Sequence, residues 1–266
     1  PDLAVAEAFF TEVWHLDVVA QGPDGTYLRG TGTDHHLISL HAHTGQASVR
    51  HVSLRVHSAQ ALEKASQVAL KSGGRVLGPV AALSDPAGGM GLIVVDGHGR
   101  VYQLVHGDHT HPQGTQVADK PIRLAHAVLN THDVPASQTF LEQVLDFSLS
   151  DRTRIMAFMN CDNDHHTIAL GDTDNDALNH VAFLMPTIDA VMRGGGRLKD
   201  LGLPPQWGPG RHGLCLPSWC LGRGTAGLAL GCPGGGRAWC GGGGVCPGGG
   251  SHRIDDEARC RPKGFR

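Results

Sequence analysis

The chain has 266 residues, a formal net charge of -3 and 18 % charged residues, enough length to bury one large or two ordinary cores. No Lys/Arg block is long enough to track a phosphate backbone, which argues against nucleic acid as a partner. No run of about 18 apolar residues and no signal-peptide pattern is present, which argues against a membrane span and makes the cytoplasm the expected compartment. In chain order, "PDLAVAEAFF" at residues 1–10 reads as the start of a helix without a preceding Met, so upstream sequence, including a first strand, is expected to be missing. Short alternating strands follow at "TYLRG" and "HLISLHA". "RHVSLRVHSAQALEKASQVALKSGG" (50–74) reads as a strand, a polar turn and an amphipathic helix closed by Gly. "GLIVVDG" and "RVYQLVH" are two more strands, and the polar segment 108–121 is a linker. "RLAHAVLNTHDVPASQTFLEQVL" (123–145) is again strand then helix, followed by strands at "MAFMNC" and "HTIALG". "NHVAFLMPTIDAVMRGGGRLKDLG" (179–202) repeats the strand–helix unit.

Residues 1–19 lie over 132–150, with Asp2 over Asp133, Phe9 over Phe140 and Val13 over Val144 at an offset of 131. "DHHLISL" (34–40) lies over "DHHTIAL" (164–170) at an offset of 130. Two independent matches at nearly one offset point to a duplicated domain. Within each half the unit is strand, helix and about three strands, so the expected fold is α+β: tandem βαβββ modules, two per domain, in two domains, with the C-terminal module disrupted. The expected division is an N-terminal domain at 1–107, degenerate and without metal, a linker at 108–121, a catalytic domain at 122–213, incomplete, and an anomalous Gly/Cys-rich tail at 214–266.

The paired βαβββ unit, together with "RLAHAVLNT", "CDNDHHTIAL", "LNHVAFLM" and "GPGRH" in that order, resembles the vicinal oxygen chelate superfamily, and within it the type I extradiol ring-cleavage dioxygenases, the catechol and 2,3-dihydroxybiphenyl dioxygenase group. The resemblance covers about residues 1–213. It implies a site for Fe(II), or Mn(II), held by His126, His180 and a glutamate, a facial set that leaves positions open for a catecholic substrate and O2. The spacing of 54 between His126 and His180 is one module, so both fall on equivalent first strands. The resemblance makes His166 the acid–base residue, whose imidazole titrates near working pH, and His212 a further catalytic histidine bordering substrate and O2. Strand alternation puts His166 on the face of Ile168 and Leu170, with His165 opposite. The implied reaction is extradiol (meta) cleavage in aromatic-hydrocarbon catabolism, by a homo-oligomer. A non-catalytic small-molecule-binding protein of the same superfamily is the alternative.

One part of the pattern is missing. The first half pairs His51 with Gln103, 52 residues on, so the second half should offer its carboxylate near residue 232, yet residues 201–254 contain no Asp or Glu. From Cys215 onward the chain is rich in Gly, Pro, Cys, Arg and Trp. A reading frame shifted just after Gly213 and a genuine Gly-rich tail both account for this. Gln103 cannot supply an anionic ligand, so "DHHLISL" reads as the relic copy and "DHHTIAL" as the working one.

Overall fold

A computed structural model describes residues 2–23, 25–44 and 48–203. Helix α1 (Leu3–Ala8) widens into a π-helical turn, Phe9–Val13, and is followed by β1 (Asp17–Gly22), β2 (Gly25–Arg29) and β3 (Ile38–Leu40). The next module is β4 (Val52–Arg55), α2 (Ala59–Lys71), β5 (Arg75–Val76), β6 (Ala81–Ala82), β7 (Met90–Val95) and β8 (Val101–His106). The third is β9 (Arg123–Thr131), α3 (Val134–Leu145), β10 (Ser148–Arg152), β11 (Met156–Asn160) and β12 (Ile168–Asp172), and then come β13 (Leu178–Leu184) and α4 (Ile188–Asp200).

The βαβββ reading holds for the two modules that the described residues include in full. In the second module the sheet order is β4-β8-β7-β5, and in the third β12 and β9 continue a run β10-β11-β12-β9. In both, the first strand pairs parallel with the last and the remaining pairings are antiparallel. The β1-β2-β3 sheet has the same antiparallel order. Strand β13 then joins β9 antiparallel, so the first strands of two successive modules lie side by side.

Each helix begins where a short polar side chain can take an otherwise unsatisfied amide. Asp2, Ser58, Asp133 and Thr187 accept from Ala4, Ala61, Ala136 and Ala190 N–H at 2.9–3.2 Å, caps worth about 1 kcal/mol each. The aligned pairs of the internal repeat occupy the same roles: Asp2 and Asp133 are both caps, and Phe9, Phe140, Val13 and Val144 are all buried.

Two cores run across the halves. One joins Leu62, Ala69, Leu92 and Tyr102 with Leu129, Phe140, Leu141 and Ile168, and the Tyr102 and Phe140 rings stack 6.1 Å apart. Gly74 is required there, because a Cβ would sit 2.6 Å from Phe140 Cε2. The other joins Phe9, Phe10, Val13 and Leu28 with Leu198, and Trp14 packs on Phe183 at 5.3 Å. The segment between the halves runs along the first one, with His109 N–H donating to Ala87 O, His111 N–H to Thr33 O and Gly114 N–H to Thr31 O. No helix among the described residues is long and apolar enough to cross a membrane.

Candidate metal centre

Strand β9 carries His126 and lies between β12 and β13. Ala127, Leu129, Ile168 and Leu170 point to the helix-side core, while Val128, Phe158 and Ala169 form a small cluster on the opposite face. By alternation His126 belongs to that opposite face. There its ring lies 4.4 Å from the ring of His166 and 5.7 Å from that of His180, centroid to centroid. The fold thus brings three of the four named histidines together. His212, and the position near 232 where the carboxylate was sought, lie outside the described residues.

The face assigned to His166 needs correction. Ile168 and Leu170 turn into the helix-side core, whereas the His166 ring meets His126 and, at 5.0 Å, Phe158. Residues 161–167 form an irregular turn ahead of β12, so strand alternation does not reach back to the histidine. Asp164 holds that turn by accepting from Arg123 on β9 at 2.5 Å. The first copy is built alike: Asp34 accepts from Arg55 on β4 at 3.0 Å. The His35–His36 and His165–His166 rings are both 5.3 Å apart and near perpendicular, with Nδ1 atoms 3.1 and 3.0 Å apart.

His180 is oriented by a chain of amides that motif reading did not find. Asn179 Nδ2 donates to Asn130 Oδ1 at 3.0 Å, and Asn130 Nδ2 donates to Asn175 Oδ1 at 3.0 Å. Asn179 Oδ1 therefore faces His180 Nδ1, 2.8 Å away. A carbonyl oxygen only accepts, so Nδ1 carries the proton and Nε2 the lone pair, the tautomer a metal ligand needs. The only signal in the sequence was the recurrence of Asn near the ends of β9 and β13.

In the first half the equivalent face carries a hydrogen-bond network. Gln103, buried on β8, donates to Asp85 Oδ2 at 3.0 Å and accepts from Ser53 Oγ at 3.2 Å. His36 is held below its ordinary pKa chiefly by burial. Burial, with Arg50 adding to it, pushes His51 down to about 4. A cavity of about 350 Å³ opens on this face, lined by His36, Arg55, Asp85, Gln103 and Asp108 and reaching His126.

The fold gathers the imidazoles of His126, His166 and His180 on one face of the second half. Among the described residues the implied carboxylate is absent: the group of three metal-ligating side chains whose ligand atoms all lie within 4.8 Å is a different one, His98, His132 and Asp176.

Residues 123–214 match the model of the Glyoxalase/Bleomycin resistance protein/Dioxygenase superfamily. That segment is a glyoxalase/bleomycin resistance/dioxygenase superfamily domain. The match ends at Leu214. The chain is 30 % identical over 102 residues to biphenyl-2,3-diol 1,2-dioxygenase 3 of Rhodococcus globerulus, over 35 % of this chain and 53 % of that protein. It spans about half the length of that curated relative. Among solved structures it resembles the Mn(II)-bound glyoxalase of Novosphingobium aromaticivorans, with TM-score 0.74 and 28 % identity over 79 % of this chain and 70 % of the other. It also resembles homoprotocatechuate 2,3-dioxygenase of Arthrobacter globiformis, with TM-score 0.71 and 25 % identity over 79 % of this chain and 69 % of that one. The vicinal oxygen chelate fold extends beyond the superfamily domain, and dioxygenases of aromatic diols are among its relatives.

Proposed function

We propose that the protein is an extradiol ring-cleavage dioxygenase of catechol-type diols, with residues 1–107 as a degenerate half, 108–121 as a linker and 122–213 as the catalytic half. The observation that carries this reading is the meeting of His126, His166 and His180 on one sheet face, at 4.4 and 5.7 Å between ring centroids. His126 and His180 would hold Fe(II), with Mn(II) the second choice given the Mn(II)-bound relative. The bound ion would supply the Lewis acidity that ionises the diol and the redox chemistry that activates O2.

The chain's own residues would do the rest. Asn179 keeps the proton on His180 Nδ1, so that Nε2 would offer its lone pair to the ion. His166, next to His126, would take the proton of the second hydroxyl and return it as the ring opens. Phe158, Val128 and Ala169 form an apolar wall suited to an aromatic ring. His212 would border the same space.

The absence of Asp and Glu from 201–254 favours a second reading, a diol-binding protein without turnover. Full-length protein loaded anaerobically with Fe(II), given 2,3-dihydroxybiphenyl or catechol and then air, should form yellow ring-cleavage product, and H166Q should lower its rate by about 100-fold or more. Diol binding without product in the wild-type chain would sink the enzymatic reading and leave the second one.

A further inference from the structure

We propose that His98, His132 and Asp176 form a second divalent-metal site, separate from the His126–His180 centre, that takes a zinc-class ion and ties the β7–β8 turn to the ends of β9 and β13. The three residues come from separate turns. His98 is in the tight turn between β7 and β8, His132 directly follows β9, and Asp176 lies just ahead of β13. The rings of His98 and His132 are 4.7 Å apart and nearly perpendicular. His132 Nδ1 is 2.7 Å from Asp176 Oδ2, and one ligand atom from each of the three lies within 4.8 Å of the others. Bonds of about 2.0–2.2 Å in a tetrahedral site place ligand atoms roughly 3.3–3.6 Å apart, so the set closes with ligand-atom shifts of roughly 1.5 Å or less.

The backbone beneath these side chains is fixed on each side. Asp96 Oδ1 accepts from His98 and Arg100 N–H at 2.9 Å each, and Gly99 takes a left-handed φ of 86° to complete the turn. The Arg100 guanidinium, paired with Asp96 at 2.7 Å, also donates to Asn130 O at 3.0 Å and Ser137 Oγ at 2.5 Å. The turn bearing His98 is thereby clamped to β9, the strand that ends just before His132. On the other side Asn130 N–H donates to Ala177 O at 2.7 Å, and its side chain reaches Asn175, which brackets Asp176. An exposed histidine–carboxylate pair needs no such frame and no second imidazole.

The donor set selects the ion. Two imidazoles and one carboxylate suit Zn(II), Ni(II), Co(II) or Cu(II), whereas Ca(II) and Mg(II) prefer all-oxygen shells. Half-exposed ligands leave room for water as a fourth ligand, and the location, bridging turns of both halves, fits a structural role.

The test is metal counting on full-length, metal-stripped protein by equilibrium dialysis with Zn(II), comparing wild type with H98A and D176A and, in a background of H126A/H180A, with the same changes. H98A and D176A should each lose one bound equivalent at a Zn(II) concentration that saturates the parent, with affinity at that site down about 10-fold or more. Zn(II) should raise the thermal midpoint of H126A/H180A, and H98A should abolish that rise. Should the double background fail to fold, the difference between wild type and H98A still decides. Equal Zn(II) stoichiometry and affinity in H98A and its parent would overturn the proposal. The count is independent of diol cleavage, so failure of the dioxygenase reading leaves it standing.

Discussion

Two histidines, alike in sequence context, have been given different chemistry by their neighbours. His180 is oriented by Asn179, itself held by Asn130. Removing that partner by Asn179→Ala frees the ring to rotate and to change tautomer, and should weaken Fe(II) or Mn(II) binding by about 10- to 100-fold without unfolding the protein. A metal titration followed by circular dichroism checks both halves of that statement, and unchanged affinity would count against the assigned role. Its first-half counterpart, His51, is instead kept neutral by burial, at about 4 against an ordinary 6.5. Its folded-state pKa is lowered, so below 6.5 the unfolded chain binds the proton that the folded chain refuses. Stability from this residue is therefore full above about pH 6.5 and lost as pH falls toward about 4. At roughly 1.4 kcal/mol per unit the ceiling is about 3 kcal/mol, and partial exposure reduces it to about 1–2 kcal/mol. Asp108 and Asp176, whose pKa values are lowered below 3.8, act only at more acid pH, so the two windows separate. Urea unfolding of wild type and H51Q at pH 7 and pH 4.5 should show a smaller pH dependence in the variant.

At the scale of elements, the β7–β8 turn is joined to β9 and α3 through one buried ion pair. Arg100 and Asp96 have side chains 8 % and 2 % exposed, and burial at that level makes the pair dangerous to break from one side. Arg100→Met leaves Asp96 charged, buried and short of donors, and should cost about 3–5 kcal/mol. Asp96→Asn/Arg100→Met together should cost less than Arg100→Met alone, which chemical denaturation of the two variants would reveal. How far such features were legible varies with what each residue buries. The strands β7, β8, β11 and β12 and helices α1 to α4 stood out because one face is apolar and the caps are polar. Strands β1 and β10 did not, because β10 exposes every residue and β1 all but its two middle ones, so no alternation marks them. His126, His166 and His180 are named by the family resemblance of their motifs, and the fold brings their rings together. The face of His166 was misread because an irregular turn breaks the period. His98, His132 and Asp176 carry no shared motif, and only folding brings their turns together.

For the molecule as a whole, the internal repeat and the packing divide the chain differently. The repeat splits it near the linker, but among the described residues the two larger hydrophobic cores are each made by both halves. Phe140, Leu129 and Ile168 of the second half share a core with Leu62, Leu92 and Tyr102 of the first. Leu198 and Phe183 share the other with Phe9, Phe10 and Trp14. Separating the halves would strip two apolar faces at once, each carrying aromatic rings worth several kcal/mol of burial at about 25 cal/mol per Å². Domains of this size retain only about 5–15 kcal/mol in total. Chains 1–121 and 122–266, expressed separately, should therefore each bind a hydrophobic dye and lack a cooperative unfolding transition, and should recover one when mixed. A sharp transition and intact near-ultraviolet dichroism in either piece alone would mean that the repeat, not the shared core, sets the folding unit. The same reasoning bears on function. If the first half holds the helix side of the β9–β12–β13 sheet in place, substitutions there, such as Tyr102→Ala, should loosen metal binding at His126 and His180 without touching either.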